Sequence, residues 1–538
     1  MEKRTKIVCT LGPAVDSEST LANLIQSGMD IARLNFGHGS HAEHLARINR
    51  LKKVRRELDS PCAILLDTCG PEIRTGVLAG NQPVRLQAGK RIVLTERPVQ
   101  GTARLVQQSR AGLSTYVKPG TSILLDEGLI ELAVDTVDGT DIVCTVQNTG
   151  MLGNHKTVNL PGTPVDMPAL TEKDEADLRF GIENGVDFVA SSVRTADDAR
   201  QVRAFLDSNG GLDVALIAKI ETAAGVDNIE QIEPLCDAVL IARGDLGVEI
   251  DASKIPHIQK RIIELCNDRR TPVVIANQML DSMMRNPRPT RAEAADVANA
   301  VYDGADALML SGETAQGKYP VPAVVMMANI VRASEPYVAT RTDVTHDYET
   351  DALRTAPVVG QAAVQTAQAL HARCIVTATS SGRTARLISN LRPQAPIYAV
   401  TQRERVMRRM QILWGVVPML AQIENRTMKE SVEIARAAVV SRGLVSPGDL
   451  TVFTAGDTST SPCVTAGDVP GIESAPTNVL YVVQIGPEAE AGEGPGAAGA
   501  ASAVPDGTTT PADAASGTAA SAPATGSAGP APREGKEA

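Results

Sequence analysis

Eight short apolar runs, each closing on polar or charged residues, constrain this chain of 538 residues more than any other feature. They are Lys6–Thr10, Ile31–Asn35, Ala63–Thr68, Val186–Ser192, Val214–Glu221, Ala238–Asp245, Pro272–Gln278 and Ala307–Glu313. Runs this short and this apolar read as strands covered on both faces, which is how a parallel sheet reads. Most alternate with amphipathic helical patterns such as Glu172–Asn184 and Ala196–Ser208. Strand, helix, strand at that rhythm predicts parallel βα units, and eight of them predict an α/β fold closed into a (β/α)8 TIM barrel. A doubly wound open sheet is the alternative.

The rhythm breaks between the third and fourth runs. Residues 72–166 show no helical period but short strands with turns, as in Val117-Lys118-Pro119-Gly120, Asp126-Glu127-Gly128 and Val137-Asp138-Gly139-Thr140. An all-β lid inserted after strand 3 is expected, leaving the barrel at the rim where its active site should lie. The barrel is then residues 1–71 and 167–336. Past Ser334 an α/β pattern restarts: helix-like Val359–Leu370, strand-like Cys374–Thr379, helix-like Thr384–Asn390 and strand-like Ile397–Thr401, with further elements to Val479–Ile485. This predicts a C-terminal α/β domain over 350–485, serving regulation or oligomerisation. Residues 486–538 are rich in Ala, Gly, Pro, Ser and Thr and carry no aromatic. Such a segment buries too little apolar surface to order itself, so a disordered tail is expected.

A net charge of −11 argues against non-specific nucleic-acid binding. Aromatic residues make up 2%, so the core must be built from Val, Ile, Leu, Ala and Met. The eight cysteines are scattered without a C-x-x-C pair, which fits neither a disulfide framework nor a zinc site. Met1-Glu2-Lys3-Arg4 runs straight into the first apolar run with no signal-peptide core, and no stretch is long enough to span a membrane. A cytoplasmic location is expected.

The chemistry gathers at the ends of the runs. Arg33 and Asn35 close the second, Asp67 and Thr68 the third, Lys219 and Glu221 the fifth and Asp245 the sixth, while Glu313 and Thr314 follow the eighth. Lys219 and Glu221 are two apart, so both point to one side of a strand. One cation and two carboxylates on neighbouring strand ends suit a divalent metal and a phosphoryl group. By contrast, Thr290-Arg291-Ala292-Glu293 after Pro287-Arg288-Pro289 is a capping box opening a helix, a structural feature.

These residues lie in a longer set of motifs. They include Thr5-Lys6-Ile7-Val8-Cys9-Thr10-Leu11-Gly12-Pro13, Arg33-Leu34-Asn35-Phe36, Leu66-Asp67-Thr68 and Gly70-Pro71-Glu72-Ile73-Arg74-Thr75-Gly76. Asn159-Leu160-Pro161-Gly162, Lys219-Ile220-Glu221, Ala242-Arg243-Gly244-Asp245-Leu246-Gly247, Asn286-Pro287-Arg288-Pro289 and Leu310-Ser311-Gly312-Glu313-Thr314-Ala315 follow. In order and spacing they resemble the pyruvate kinase family over residues 1–485. The resemblance implies transfer of the phosphoryl group of phosphoenolpyruvate to ADP, giving pyruvate and ATP, the final step of glycolysis. It implies Mg²⁺ or Mn²⁺ on Glu221 and Asp245, Lys219 against the transferring phosphoryl group, and Arg33 gripping the phosphate. Gly244 and Asp245 would open a helix toward the substrate carboxylate, and Thr314 would contact that carboxylate or the protonating water. Arg74, Pro13, His38 and Lys156 match nucleotide-site positions. Asn35, Asp67 and the Thr68 carbonyl match a K⁺ site, and Glu72 is the form associated with potassium dependence. Thr379, Ser380, Ser381 and Thr384 resemble an effector loop that binds a sugar phosphate, although Thr454–Pro470 looks unlike the fructose-1,6-bisphosphate-responsive forms. A nucleotide effector is a further possibility, and a homotetramer is implied.

Three residues depart from the family pattern: Gly37 where Ser is usual, Cys69 where Lys is common, and Ser192 where Phe is common. Gly37 removes a hydroxyl from the K⁺ site and implies weaker K⁺ binding with water in the gap. Two other readings compete. One is a metal-dependent aldolase or lyase acting on phosphoenolpyruvate or pyruvate, which would need no ADP. The other is a degenerate, non-catalytic paralogue, suggested by the three departures.

Overall fold

A computed structural model describes residues 3–341, 355–423, 426–456, 464–465, 473–474 and 477–486. The expected tail, apart from Gly486, and most of Thr454–Pro470 lie outside the described residues. Eight strands close into a parallel barrel: β1 (Lys6–Thr10), β2 (Ile31–Asn35), β3 (Ala63–Asp67), β4 (Phe188–Ser192), β5 (Ala215–Ile220), β6 (Ala238–Ala242), β7 (Val273–Ala276) and β8 (Ala307–Leu310). Each pairs with its sequence neighbours and β8 closes on β1, with Lys6 opposite Ala307. The closed barrel decides against the open sheet.

Alternation along each strand separates two cores. Val8, Ile31, Leu65, Ala190, Ile217, Leu240 and Met309 fill the barrel. Ile7, Cys9, Leu34, Leu66, Leu216, Ile220, Ile241 and Leu308 pack in the apolar layer outside the strands. Each fully buried Leu or Ile contributes about 1.5–3 kcal/mol. The same alternation turns Lys219, two residues beyond Ile217, to the barrel side at the carboxyl end of β5.

The helices begin where the sequence supplies caps. Thr171 with Asp174, Thr195 with Asp198 and Thr290 with Glu293 form reciprocal capping boxes for the helices Glu172–Glu183, Ala196–Ser208 and Arg291–Asp303. Some apolar runs end as strands earlier than the sequence suggests. The last β6–β7 pair is Ala242 with Ala276, and Asn277 then turns to a left-handed φ of 74°. The ladder stops there, so Asp245 sits in the first turn of the helix Arg243–Glu249 rather than on β6.

The segment after β3 is β-rich as expected. Its main sheet has six strands, in the order Val158–Asn159, Ser122–Leu125, Ile130–Asp138, Asp141–Val146, Arg91–Thr95 and Leu105–Gln107. It has its own core, with Ile92, Leu94, Ile123, Leu132 and Ile142 fully buried. Asn159 Nδ2 donates to Glu249 Oε1 at 3.3 Å, tying this lid to the rim helix.

The C-terminal α/β unit has a five-stranded sheet, Val416–Leu420, Ile397–Thr401, Cys374–Ala378, Leu450–Ala455 and Val479–Gln484, the last strand antiparallel. It closes the floor of the barrel, so the barrel interior and Met410, Ile412 and Leu413 form one continuous core. Trp414 lies at this seam, flanked by the Arg4 and Arg392 guanidinium groups at 5.4 and 5.1 Å from its ring centre. Among the described residues every cysteine is free, and no helix is long and apolar enough to cross a membrane.

Candidate active site

The carboxyl ends of β2, β3 and β5 bring four groups together. Strand register sets Asn35 opposite Asp67 and Lys219 opposite Ser192. Arg33 Nε donates to Asp67 Oδ2 at 2.6 Å, and Arg33 Nη1 donates to Thr10 Oγ1 at 2.8 Å. The Lys219 ammonium lies 3.1 Å from both Asp67 Oδ1 and Glu221 Oε2, and 3.4 Å from the Thr68 carbonyl oxygen. Lys219 and Asp67 are buried, at 9% and 1% exposure.

The charges are unevenly matched. Burial pushes the Lys219 ammonium down, but Asp67, Glu221 and Asp245 outweigh it, so its pKa is raised and it stays charged. Burial pushes Asp67 up, but Lys219 and Arg33 outweigh that and hold it below the usual carboxylate range. Glu221 and Asp245 go the other way. Burial raises Glu221, and Asp245 adds to the rise against the pull of Lys219 and of a hydrogen bond from Ser192. Asp245 reaches the open mouth of the barrel, yet the enclosing cleft and the charges of Glu72, Asp67 and Glu127 push it up against Lys219. Two carboxylates held above their ordinary range mark a place short of positive charge. A hard divalent cation would fit such an oxygen pair. Among the described residues no three or more His, Cys, Asp and Glu side chains form a ready-made metal cage.

Other expected residues fall differently. Thr314 has no exposure, and its hydroxyl donates to the Thr10 carbonyl at 2.8 Å, with Leu310 and Ser311 carbonyls at 3.4 and 3.5 Å. It fastens the turn after β8 to β1. Glu313 likewise accepts the N–H groups of Leu280 and Ser311 at 3.0 and 2.8 Å. Arg74 pairs with Glu72 and donates to the His155 carbonyl, and Lys156 pairs with Asp126 at 2.8 Å, so both belong to the lid. Pro13 and His38 are exposed on the barrel loops. The Asn35 amide oxygen accepts the Gly37 N–H at 2.9 Å. A Cβ on Gly37 would lie 3.1 Å from that oxygen and 3.9 Å from Cys69 Sγ, so a small side chain needs only a slight shift. In the C-terminal domain, Thr379 and Ser381 accept the N–H groups of Gly382 and Arg383 at 2.9 and 3.4 Å, and Thr384 contacts Thr477. Ser380 is half-buried beside them.

One rim residue went unread in the sequence. Asn277 Nδ2 lies 3.4 Å from Asp245 Oδ2, and a Cβ on Gly244 would meet the same nitrogen at 2.7 Å. A side chain at position 244 would make the Asn277 amide give way at the opening of the rim helix. The signal available was its place as the first polar residue after Val273–Ala276.

Comparison with known proteins places this geometry. The model of the pyruvate kinase barrel domain matches residues 2–324, and that of the pyruvate kinase alpha/beta domain matches residues 358–466. A pyruvate kinase of Geobacillus stearothermophilus is 45% identical over 92% of this chain and 83% of its own length. The chain belongs to the pyruvate kinase family. One from Clostridium acetobutylicum is 42% identical over 89% of the chain and 99% of its own length, and one from Staphylococcus aureus is 44% identical over 92% and 82%. The reaction is that of pyruvate kinase, a phosphotransferase of glycolysis that moves the phosphoryl group of phosphoenolpyruvate to ADP and yields pyruvate and ATP. This sets aside the aldolase or lyase and the non-catalytic paralogue.

Proposed function

We propose that the pyruvate kinase reaction runs at the rim formed by β2, β3, β5 and the helix Arg243–Glu249. The observation that carries this is the Lys219 ammonium, buried and held charged between Asp67 and Glu221. Lys219 neutralises charge on the phosphoryl group as it transfers, where low surrounding polarity strengthens the effect. Arg33, anchored through Nε to Asp67, has guanidinium nitrogens for the phosphate. Glu221 and Asp245 would hold Mg²⁺ or Mn²⁺, which would supply positive charge to offset that of the phosphoryl group. Gly244 leaves backbone exposed beside the substrate carboxylate. Thr314, whose hydroxyl also holds β1, contacts the substrate carboxylate or positions the protonating water.

Asn35, Asp67 and the Thr68 carbonyl supply neutral and anionic oxygens suited to K⁺, with water in the gap at Gly37. Arg74 reaches nucleotide phosphates when the lid closes, and Lys156, Pro13 and His38 line the nucleotide site. Thr379, Ser380, Ser381 and Thr384 take an effector phosphate. Barrel residues 1–71 and 167–336, lid 72–166, regulatory domain 350–485 and tail 486–538 are the functional divisions, in a cytoplasmic homotetramer. A coupled assay for pyruvate tests the core of this reading. Activity should need both phosphoenolpyruvate and ADP and fall about 10²–10³-fold in Lys219→Met; a Lys219→Met enzyme with parental kcat would refute the role given to Lys219.

A further inference from the structure

On the barrel floor an aspartate stands immediately before each even-numbered strand: Asp30, Asp187, Asp237 and Asp306. Each accepts a backbone N–H from the odd-numbered strand beside it. The donors are Ile7 at 2.7 Å, Ile64 at 2.9 Å, Leu216 at 2.8 Å and Val273 at 2.9 Å. In three of the four, the other carboxylate oxygen accepts from an arginine of the C-terminal domain at 2.7 Å: Arg408 on Asp187, Arg409 on Asp237 and Arg392 on Asp306. Asp30 takes Lys3 and Lys6 instead, and Lys6 reaches on to the Val416 carbonyl at 2.6 Å. Every aspartate thus ties two adjacent strands to each other, and three tie them directly to the domain below.

The four are chemically alike but differ in what stands above them. Asp237 braces β5 and β6, the strands that lead to Lys219, Glu221 and Asp245. Its partner Arg409 also lines a small cavity at the seam with Ser381, Gly382 and Arg386, part of the loop and helix that carry the effector-like motif. We propose that Asp237 and Arg409 form a strut through which the C-terminal domain sets the positions of Glu221 and Asp245. They are positioning residues, acting along one strand length. β5 has six residues, roughly 20 Å at about 3.3 Å each. Strands locked on both sides in a packed barrel transmit a shift at the floor to the rim, since close-packed cores deform little. The inference rests on Glu221 and Asp245 being the divalent-metal ligands.

The fourfold repetition supplies its own control, because Arg408 makes the same contact under β3 and β4. Mn²⁺ binding to the substrate-free enzyme, followed by electron paramagnetic resonance, is the readout. Arg409→Gln, and independently Asp237→Asn, which keeps an acceptor for Leu216, should weaken Mn²⁺ binding roughly three- to tenfold. Arg408→Gln should stay within about twofold of the parent, and Arg409→Lys should restore most of the loss. Parental affinity in both Arg409→Gln and Asp237→Asn would overturn the strut, as would an equal loss in Arg408→Gln. Asp245→Asn separates the two levels. If it binds Mn²⁺ like the parent, the ligand assignment itself fails; if it loses Mn²⁺ while Arg409→Gln and Asp237→Asn do not, only the strut fails.

Discussion

Lys219 has two carboxylates at equal distance, so its charge is set before any substrate arrives. Replacing it by Met removes that preset charge and should lower kcat by about 10²–10³-fold, the loss typical of a transition-state donor. Steady-state kinetics would check this, with KM for phosphoenolpyruvate changing less than kcat. Glu221 and Asp245 carry the opposite imbalance, with desolvation in the cleft foremost in raising both. A divalent ion held by these groups would have to compete with protons on them. Its affinity should therefore fall as pH drops, starting above the ordinary carboxylate range; Mn²⁺ titrations at stepped pH would show a flat affinity if this is wrong. Ser192→Ala removes a hydrogen bond that pulls Glu221 down, so the same fall should begin at higher pH.

The elements around the site depend on short, separable devices. Thr290 Oγ1 and Glu293 cap the helix Arg291–Asp303, and Glu293 also accepts from the Ser282 N–H and hydroxyl at 2.7 and 2.5 Å. Thr290→Ala should cost about 1 kcal/mol, visible as a lower Tm with kcat nearly unchanged. The loop after β2 admits a Cβ at Gly37 once the Asn35 amide gives slightly, so Gly37→Ser should lower the K⁺ concentration needed for half-maximal activity. No change in a K⁺ titration would count against the site. The capping box was readable in the sequence because its residues are local, and the helix Ala196–Ser208 was readable end to end because a capping threonine precedes an amphipathic run. The eight strands and the charged residues at their ends were readable for the same reason. The hydroxyl of Thr314 was not, since its partner Thr10 is 304 residues away. Asn277 was missed because its place depends on where β6 and β7 stop pairing, a property of two strands and not of either one.

Across the whole molecule the barrel and C-terminal domain share a core and a charged seam, while the lid keeps its own core. Arg392 is buried at that seam, donating to Asp306 at 2.7 Å and to the Gly304 carbonyl at 2.8 Å. Arg392→Met would strand a buried carboxylate, a loss of about 3–5 kcal/mol. Calorimetry should then show the first unfolding transition at lower temperature, and an unchanged profile would mean that the pair contributes little. The β-rich insertion is tied to the rim helix through Asn159 and Glu249 and packs its own core apart from the barrel's. Trp414 is the chain's one tryptophan and sits between two guanidinium groups where the domains meet. Its fluorescence is therefore a gauge fitted at a single joint: with no second indole to dilute the signal, a shift in emission reports the opening or tightening of that joint.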